Sequence, residues 1–182
     1  FAVCAATPKY VFLFIGDGMS TPQRLMSEDF SKRTGRGELA MNRLARRTET
    51  TTKSANKVVT DSAAAATAIA CGEKTNNGML GMRPDGTRIE SVAEVAKKAG
   101  RKVGIVTTVT IVHATPAGFY AHNRNRGDSR NIAMELVKSG FDYFAGGGIG
   151  GWKRPDGGYF DTNGNFVKLD EGSAAVPGID PY

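Results

Sequence analysis

Five short stretches of this chain carry residue types that can do chemistry. In the first, an apolar, β-branched lead-in, Val58-Val59-Thr60, runs into Asp61-Ser62 and then into the alanine-rich Ala63-Ala64-Ala65-Ala66-Thr67-Ala68. A serine at such a junction lies at a helix N-terminus, where open N–H groups and the helix dipole favour negative charge. Its oxygen can become a nucleophile, or its phosphate ester can be stabilised. The same pattern also serves as an ordinary helix N-cap. Asp17 stands between Gly16 and Gly18 after an apolar run. It is placed either to bridge hard cations or to hydrogen-bond its own turn. Thr115-Pro116 reads as a hydroxyl cap with proline at the first helical position, and a threonine hydroxyl is also a magnesium donor. His113, two residues earlier, is a site candidate or a structural histidine. Arg126 carries a planar fork that can grip a phosphate through two parallel bonds or lie solvated on the surface. Asp61, beside the serine, is placed to orient that arginine.

The elements needed to position these residues read as an α/β domain. Residues 11–15 form a continuous apolar run, the pattern of a central parallel strand covered on both faces. Ser20-Thr21-Pro22 opens a helix, a second helical stretch is expected near residues 38–46, and the Thr-rich residues 48–53 read as extended. The helix after Ser62 is expected to run to about Cys71 and to end at Gly72. Ser91 opens a helix with Val92, Val95 and Ala96 as its inner stripe and Gly100 as its stop. Residues 102–108 read as a second buried parallel strand. Asp128-Ser129 caps a further helix that ends at Gly140, and residues 141–144 form another short strand. The alternation predicts a mostly parallel sheet with helices on both faces. After residue 150, Pro155-Asp156-Gly157-Gly158 and Thr162-Asn163-Gly164-Asn165 are turn chemistry between short aromatic segments, a small β excursion. In open parallel sheets, ligands gather beyond the carboxyl ends of the strands. Asp17, Ser62 and the His113/Thr115 pair all fall at predicted strand exits.

The chain has 182 residues, 40% of them hydrophobic, with a net charge of +6. That composition supports one domain, or part of a larger one, and a taste for anionic ligands. The basic residues are scattered rather than interleaved with aromatics, which argues against nucleic-acid specificity. No apolar stretch is long enough to span a bilayer. Residues 1–9 read as a signal-peptide remnant or a frayed terminus, with residues 10–182 as the folded part. The signal-like reading implies a periplasmic or secreted setting. The two cysteines, Cys4 and Cys71, do not declare a disulfide by themselves, and Cys71 reads as a small buried thiol.

Together, Phe14-Ile15-Gly16-Asp17-Gly18-Met19, Asp61-Ser62-Ala63-Ala64-Ala65-Ala66-Thr67-Ala68, Cys71-Gly72-Glu73-Lys74-Thr75-Asn76-Asn77-Gly78, His113-Ala114-Thr115-Pro116-Ala117-Gly118 and Ala121-His122-Asn123-Arg124-Asn125-Arg126 resemble the alkaline phosphatase family in order and spacing. The resemblance implies hydrolysis of phosphate monoesters, two zinc ions and one magnesium ion, and a homodimer when full length. It implies Ser62 as the nucleophile that becomes phosphoserine, and Asp17 as a bridge between one zinc and the magnesium. Thr115 becomes a magnesium ligand, Arg126 the phosphate clamp held by Asp61, and His113 an outer-shell residue of the magnesium site. A phosphodiesterase or sulfatase relative, or a non-catalytic phosphate-binding fragment, are the alternatives.

The chain departs from the family in its metal ligands, the acidic magnesium ligand expected downstream included. The family's zinc ligands come mostly from a later part of a longer chain, and neither of the two histidines, His113 and His122, matches a zinc-ligand position. The expectation is an N-terminal piece of a longer enzyme, or a natural truncation. By itself it would show very low or no phosphatase activity and weak zinc binding.

Overall fold

The computed structural model describes residues 8–46 and 48–149, together with the backbone of residues 158–160 and 166–168. The signal-like reading of residues 1–9 therefore falls largely outside the described residues, as do Cys4 and most of the turn residues after 150. The chain divides into two units, residues 1–53 and residues 54–182.

In the first unit, helix α1 (Thr21–Arg33) begins where the sequence places it. Ser20 is the N-cap, and its backbone N–H donates to Gln23 Oε1 at 3.1 Å, one half of a capping box. Glu28 is buried and gathers the segment that follows. Its carboxylate accepts from Leu39 N–H at 2.9 Å and Asn42 Nδ2 at 2.7 Å, and Lys32 lies 2.9 Å away. The Leu39 N–H, then Lys32, hold this carboxyl below the usual range. The helix expected over residues 38–46 shrinks to one 3₁₀ turn, Ala40–Arg43. Residues 11–15, expected as a buried strand, are neither a strand nor buried: Phe12 is 78% and Phe14 89% exposed. A strand is a pairing, and no partner strand stands beside this run among the described residues. Residues 48–53 likewise join no ladder.

The second unit contains α2 (Ser62–Cys71), α3 (Val92–Lys98), β1 (Gly104–Val106), α4 (Ala114–Ala117), α5 (Ser129–Lys138), β2 (Tyr143–Ala145) and the hairpin strands β3 (Gly158–Phe160) and β4 (Phe166–Lys168). β1 and β2 pair in parallel, Ile105 opposite Phe144, and β3 and β4 pair antiparallel. The α/β class and the β excursion are therefore present, with a parallel sheet of two strands among the described residues. The core packs Ala63, Leu80, Ala117, Tyr120 and Ile132 against Ile105, Phe141 and Phe144. Local signals set the helix ends: Gly72 stops α2 in the left-handed region at φ 74°, and a Ser91–Glu94 capping box starts α3.

Three expectations need correction. α3 has no buried stripe, since Val92 is 56% and Val95 50% exposed. The helix is held instead by polar groups at its ends, Ser91 Oγ to Phe119 O at 2.7 Å and Lys97 to Asp142 at 2.7 Å. Within the second strand Ile105 is half-buried but Val106 is exposed, because β1 has one strand neighbour among the described residues. Cys71 is half-buried rather than buried. Burial, then the nearby Glu94 and Glu73, push its thiol up to about 11.

Candidate active site

Ser62 is the first residue of α2, and Asp61 is the N-cap. Asp61 Oδ1 accepts from Ala64 N–H at 2.9 Å, which satisfies one of the open donors of the helix start. This leaves Ser62 inside the first turn, half-buried, where the N-terminal end of the helix favours an anion. The sequence left open whether the serine itself was the cap; the aspartate takes that role.

The other oxygen of Asp61 looks outward from α2. Oδ2 accepts from Gly78 N–H at 2.9 Å and from Arg126 Nη1 at 3.2 Å. Arg126 is tied a second time through its backbone, its N–H donating to Gly78 O at 2.8 Å. One glycine residue therefore contacts both halves of the Asp61–Arg126 pair, through its N–H and its C=O. The Nε–H of Arg126 has no partner among the described residues, so part of the fork remains open to an anion.

His113 joins from the other side. It is the N-cap of α4, its Nδ1 lying 3.4 Å from Thr115 N–H, and its Nε2 lies 3.3 Å from Arg126 Nη2. Both ring nitrogens face N–H donors. A neutral imidazole offers one lone pair, so only one of these two long contacts is a hydrogen bond at a time. The cap of α4 is thus His113 rather than the Thr115 hydroxyl, and Pro116 follows inside the short helix.

Small residues bring the two helices together. α2 packs on α4 across Ala66 and Gly118, so closely that a Cβ on Gly118 would lie 2.6 Å from the Cβ of Ala66. The alanine-rich run therefore does more than favour a helix: it permits the helix bearing Ser62 to approach the one bearing Thr115. The second unit accordingly assembles Asp61, Ser62, His113, Thr115 and Arg126. Asp17 belongs to the first unit, on an exposed turn with Gly18 at φ 69°.

Residues 76–78, in the loop after α2, help to build the site. Asn77 Oδ1 accepts from Asp61 N–H at 3.2 Å and Asn77 Nδ2 donates to Val59 O at 3.0 Å. The available signal was an Asn-Gly pair, whose short amide readily bonds nearby backbone.

Among the described residues, no group of three or more His, Cys, Asp and Glu side chains is placed to hold a metal ion. Structural and catalytic zinc sites need at least three such donors. The described residues do not by themselves make a zinc site.

With this geometry in view, the comparisons with known proteins are specific. The model of the family "Alkaline phosphatase" matches residues 8–144. Alkaline phosphatase 3 of Bacillus subtilis (strain 168) is 34% identical over 81% of this chain and 34% of its own length. The alkaline phosphatase of Schizosaccharomyces pombe is 35% identical over 78% of this chain and 28% of its own. Among solved structures, the TAB5 alkaline phosphatase in a histidine-to-aspartate mutant with Mg bound in the M3 site gives a TM-score of 0.64 at 39% identity, covering 71% of this chain and 38% of that one. The Thermus thermophilus alkaline phosphatase gives 0.62 at 38% identity, covering 69% and 27%. The chain spans about a quarter to a third of the length of the relatives it matches. From the family match and from its relatives, this chain is a member of the alkaline phosphatase family.

Proposed function

We propose that this chain supplies the nucleophile and the phosphate clamp of a metal-dependent phosphomonoesterase that works through a phosphoserine. The observation that carries the reading is the double use of Asp61. One carboxylate oxygen caps the helix that starts at Ser62, and the other holds Arg126 at 3.2 Å. Nucleophile and guanidinium are thereby fixed to one side chain. In the reaction, Ser62 Oγ gives up its proton and bonds to phosphorus, the ester P–O bond breaks, and the leaving oxygen takes up a proton in exchange and departs as the alcohol. Arg126 offers donors to the phosphoryl oxygens, where charge accumulates in the transition state. Water then cleaves the serine–phosphorus bond and releases inorganic phosphate.

Asp17, Ser62 and Thr115 are proposed as metal donors, with His113 in the outer shell, in a set of two zinc ions and one magnesium ion completed by residues other than the described ones. A phosphate monoester is the proposed substrate, a homodimer the proposed assembly and the periplasm or exterior the proposed location. No helix among the described residues is long and apolar enough to cross a membrane.

The test is turnover of p-nitrophenyl phosphate by the natural full-length protein with Zn²⁺ and Mg²⁺, combined with acid trapping of labelled phosphate on Ser62. Ser62→Ala should abolish the trapped phosphoserine and lower turnover by at least about 10³-fold. Undiminished turnover in that variant would sink the reading, and faster cleavage of the bis-p-nitrophenyl diester would favour the phosphodiesterase alternative.

A further inference from the structure

Val58, Val59 and Thr60 have strand composition but form no ladder among the described residues. The backbone groups on either side of Thr60 are bonded all the same. Asn77 Nδ2 donates to Val59 O at 3.0 Å, and Asn77 Oδ1 accepts from Asp61 N–H at 3.2 Å. In a parallel ladder, one residue's N–H and C=O bond the C=O and N–H that flank a single residue of the neighbouring strand. The Asn77 carboxamide makes this pair of bonds around Thr60. A single side chain thus stands in for a strand neighbour at the last turnless residues before Ser62.

Asn77 is itself fixed. Its N–H donates to Asn56 Oδ1 at 2.9 Å. The next residue, Gly78, bonds the Asp61 carboxylate through its N–H and the Arg126 backbone through its carbonyl. The side chain of Asn77 sets the backbone entering the helix, and the glycine after it sets the carboxylate and the arginine. We infer that Asn77 is a positioning residue for Ser62: it fixes the height and direction at which the serine enters α2, in register with Arg126. The inference rests on the reading of Ser62 as the phosphate acceptor.

The chemistry requires an amide. Aspartate has nearly the same shape but no donor, and it sets an anion against the Val59 carbonyl. Leucine keeps the bulk and removes both bonds. A shift of about 1 Å in a reacting group can cost about 10²-fold in rate. In the natural full-length protein, rapid-quench measurement of phosphoserine formation, normalised to folded protein, should be slowed about 10–100-fold by Asn77→Asp and by Asn77→Leu. KM should stay within about threefold, because Arg126 keeps its ties to Asp61 and Gly78. A purely structural role would lower the folded fraction and leave the rate per folded molecule unchanged. Hydrogen exchange supplies a readout independent of turnover. The Asp61 amide should exchange faster in Asn77→Leu, while the Ala65 amide, bonded to Asp61 O within α2, should not.

If phosphorylation per folded molecule is unchanged in both Asn77 variants while Ser62→Ala is inactive, the inference is overturned and the phosphoserine reading stands. Unchanged exchange at Asp61 also overturns it. If Ser62→Ala keeps its turnover, the reading fails and the inference falls with it.

Discussion

Asp61 accepts hydrogen bonds from three segments at once: Ala64 in the first turn of α2, Gly78 in the following loop, and Arg126 far along the chain. A carboxylate accepts all three because it carries lone pairs on both oxygens. Asparagine caps a helix about as well but must turn an NH₂ toward some of these donors. Asp61→Asn is therefore expected to leave the melting temperature nearly unchanged while loosening Arg126. Losing a charge-assisted bond of about 1.5–3 kcal/mol corresponds to roughly 10–100-fold weaker competitive inhibition by inorganic phosphate. Unchanged inhibition would show that Arg126 is held without Asp61. The pairing of Asp61 with Arg126 was legible in the sequence, because only a few residue types can hold a guanidinium. Asn77 was not, because an amide that bonds backbone leaves no periodic trace, and any loop asparagine looks the same before its partners are known.

At the level of elements, the starts of the main helices and the strands β1 and β2 were legible, while the strands expected at residues 11–15 and 58–60 were not formed. Ser20, Asp61, Ser91 and Asp128 each cap a helix where the sequence placed one. Capping depends on groups within three or four residues, so a local reading suffices. Strand formation at residues 11–15 and 58–60 depends on a neighbour distant in sequence, and composition alone does not supply one. The stripe predicted for α3 failed for a related reason: the periodicity was read correctly, but what lies against that face is a matter of tertiary packing. The α2–α4 contact shows what close packing demands of sequence. Gly118→Ala would place a methyl 2.6 Å from Ala66 Cβ, and overpacking of this kind costs roughly 1–3 kcal/mol. A lower melting temperature in that variant, with partial recovery in Ala66→Gly/Gly118→Ala, would confirm that these two residues set the spacing. An unchanged melting temperature would show that the helices can part without cost.

Across the second unit, Asp142 links elements from separate parts of the chain. It meets Lys97 of α3 at 2.7 Å, Lys102 at 2.9 Å and Val103 N–H at 2.9 Å. Lys97 first, then the Val103 N–H and Lys102, hold its carboxyl well below the usual range. A carboxyl depressed by folding stabilises the fold above its unfolded value of about 4, and this contribution is lost as pH falls toward the folded value. Asp142→Asn should therefore lower the melting temperature at pH 7 and flatten its decline between about pH 4 and pH 2. A variant whose acid profile matches the parent would remove Asp142 from that account. Asn77 precedes Gly78, the neighbour that hinders least the attack of the next backbone nitrogen on the asparagine side chain, which expels ammonia and closes a succinimide. In the native state the Gly78 nitrogen is committed to Asp61 and the Asn77 carboxamide to Val59 and Asp61. Every excursion to the unfolded chain lifts that protection, and ring opening leaves aspartate or isoaspartate in place of the amide. The fold thus preserves the covalent identity of the residue on which its own local geometry depends, and peptide mapping after storage in denaturant and in buffer would read the difference directly.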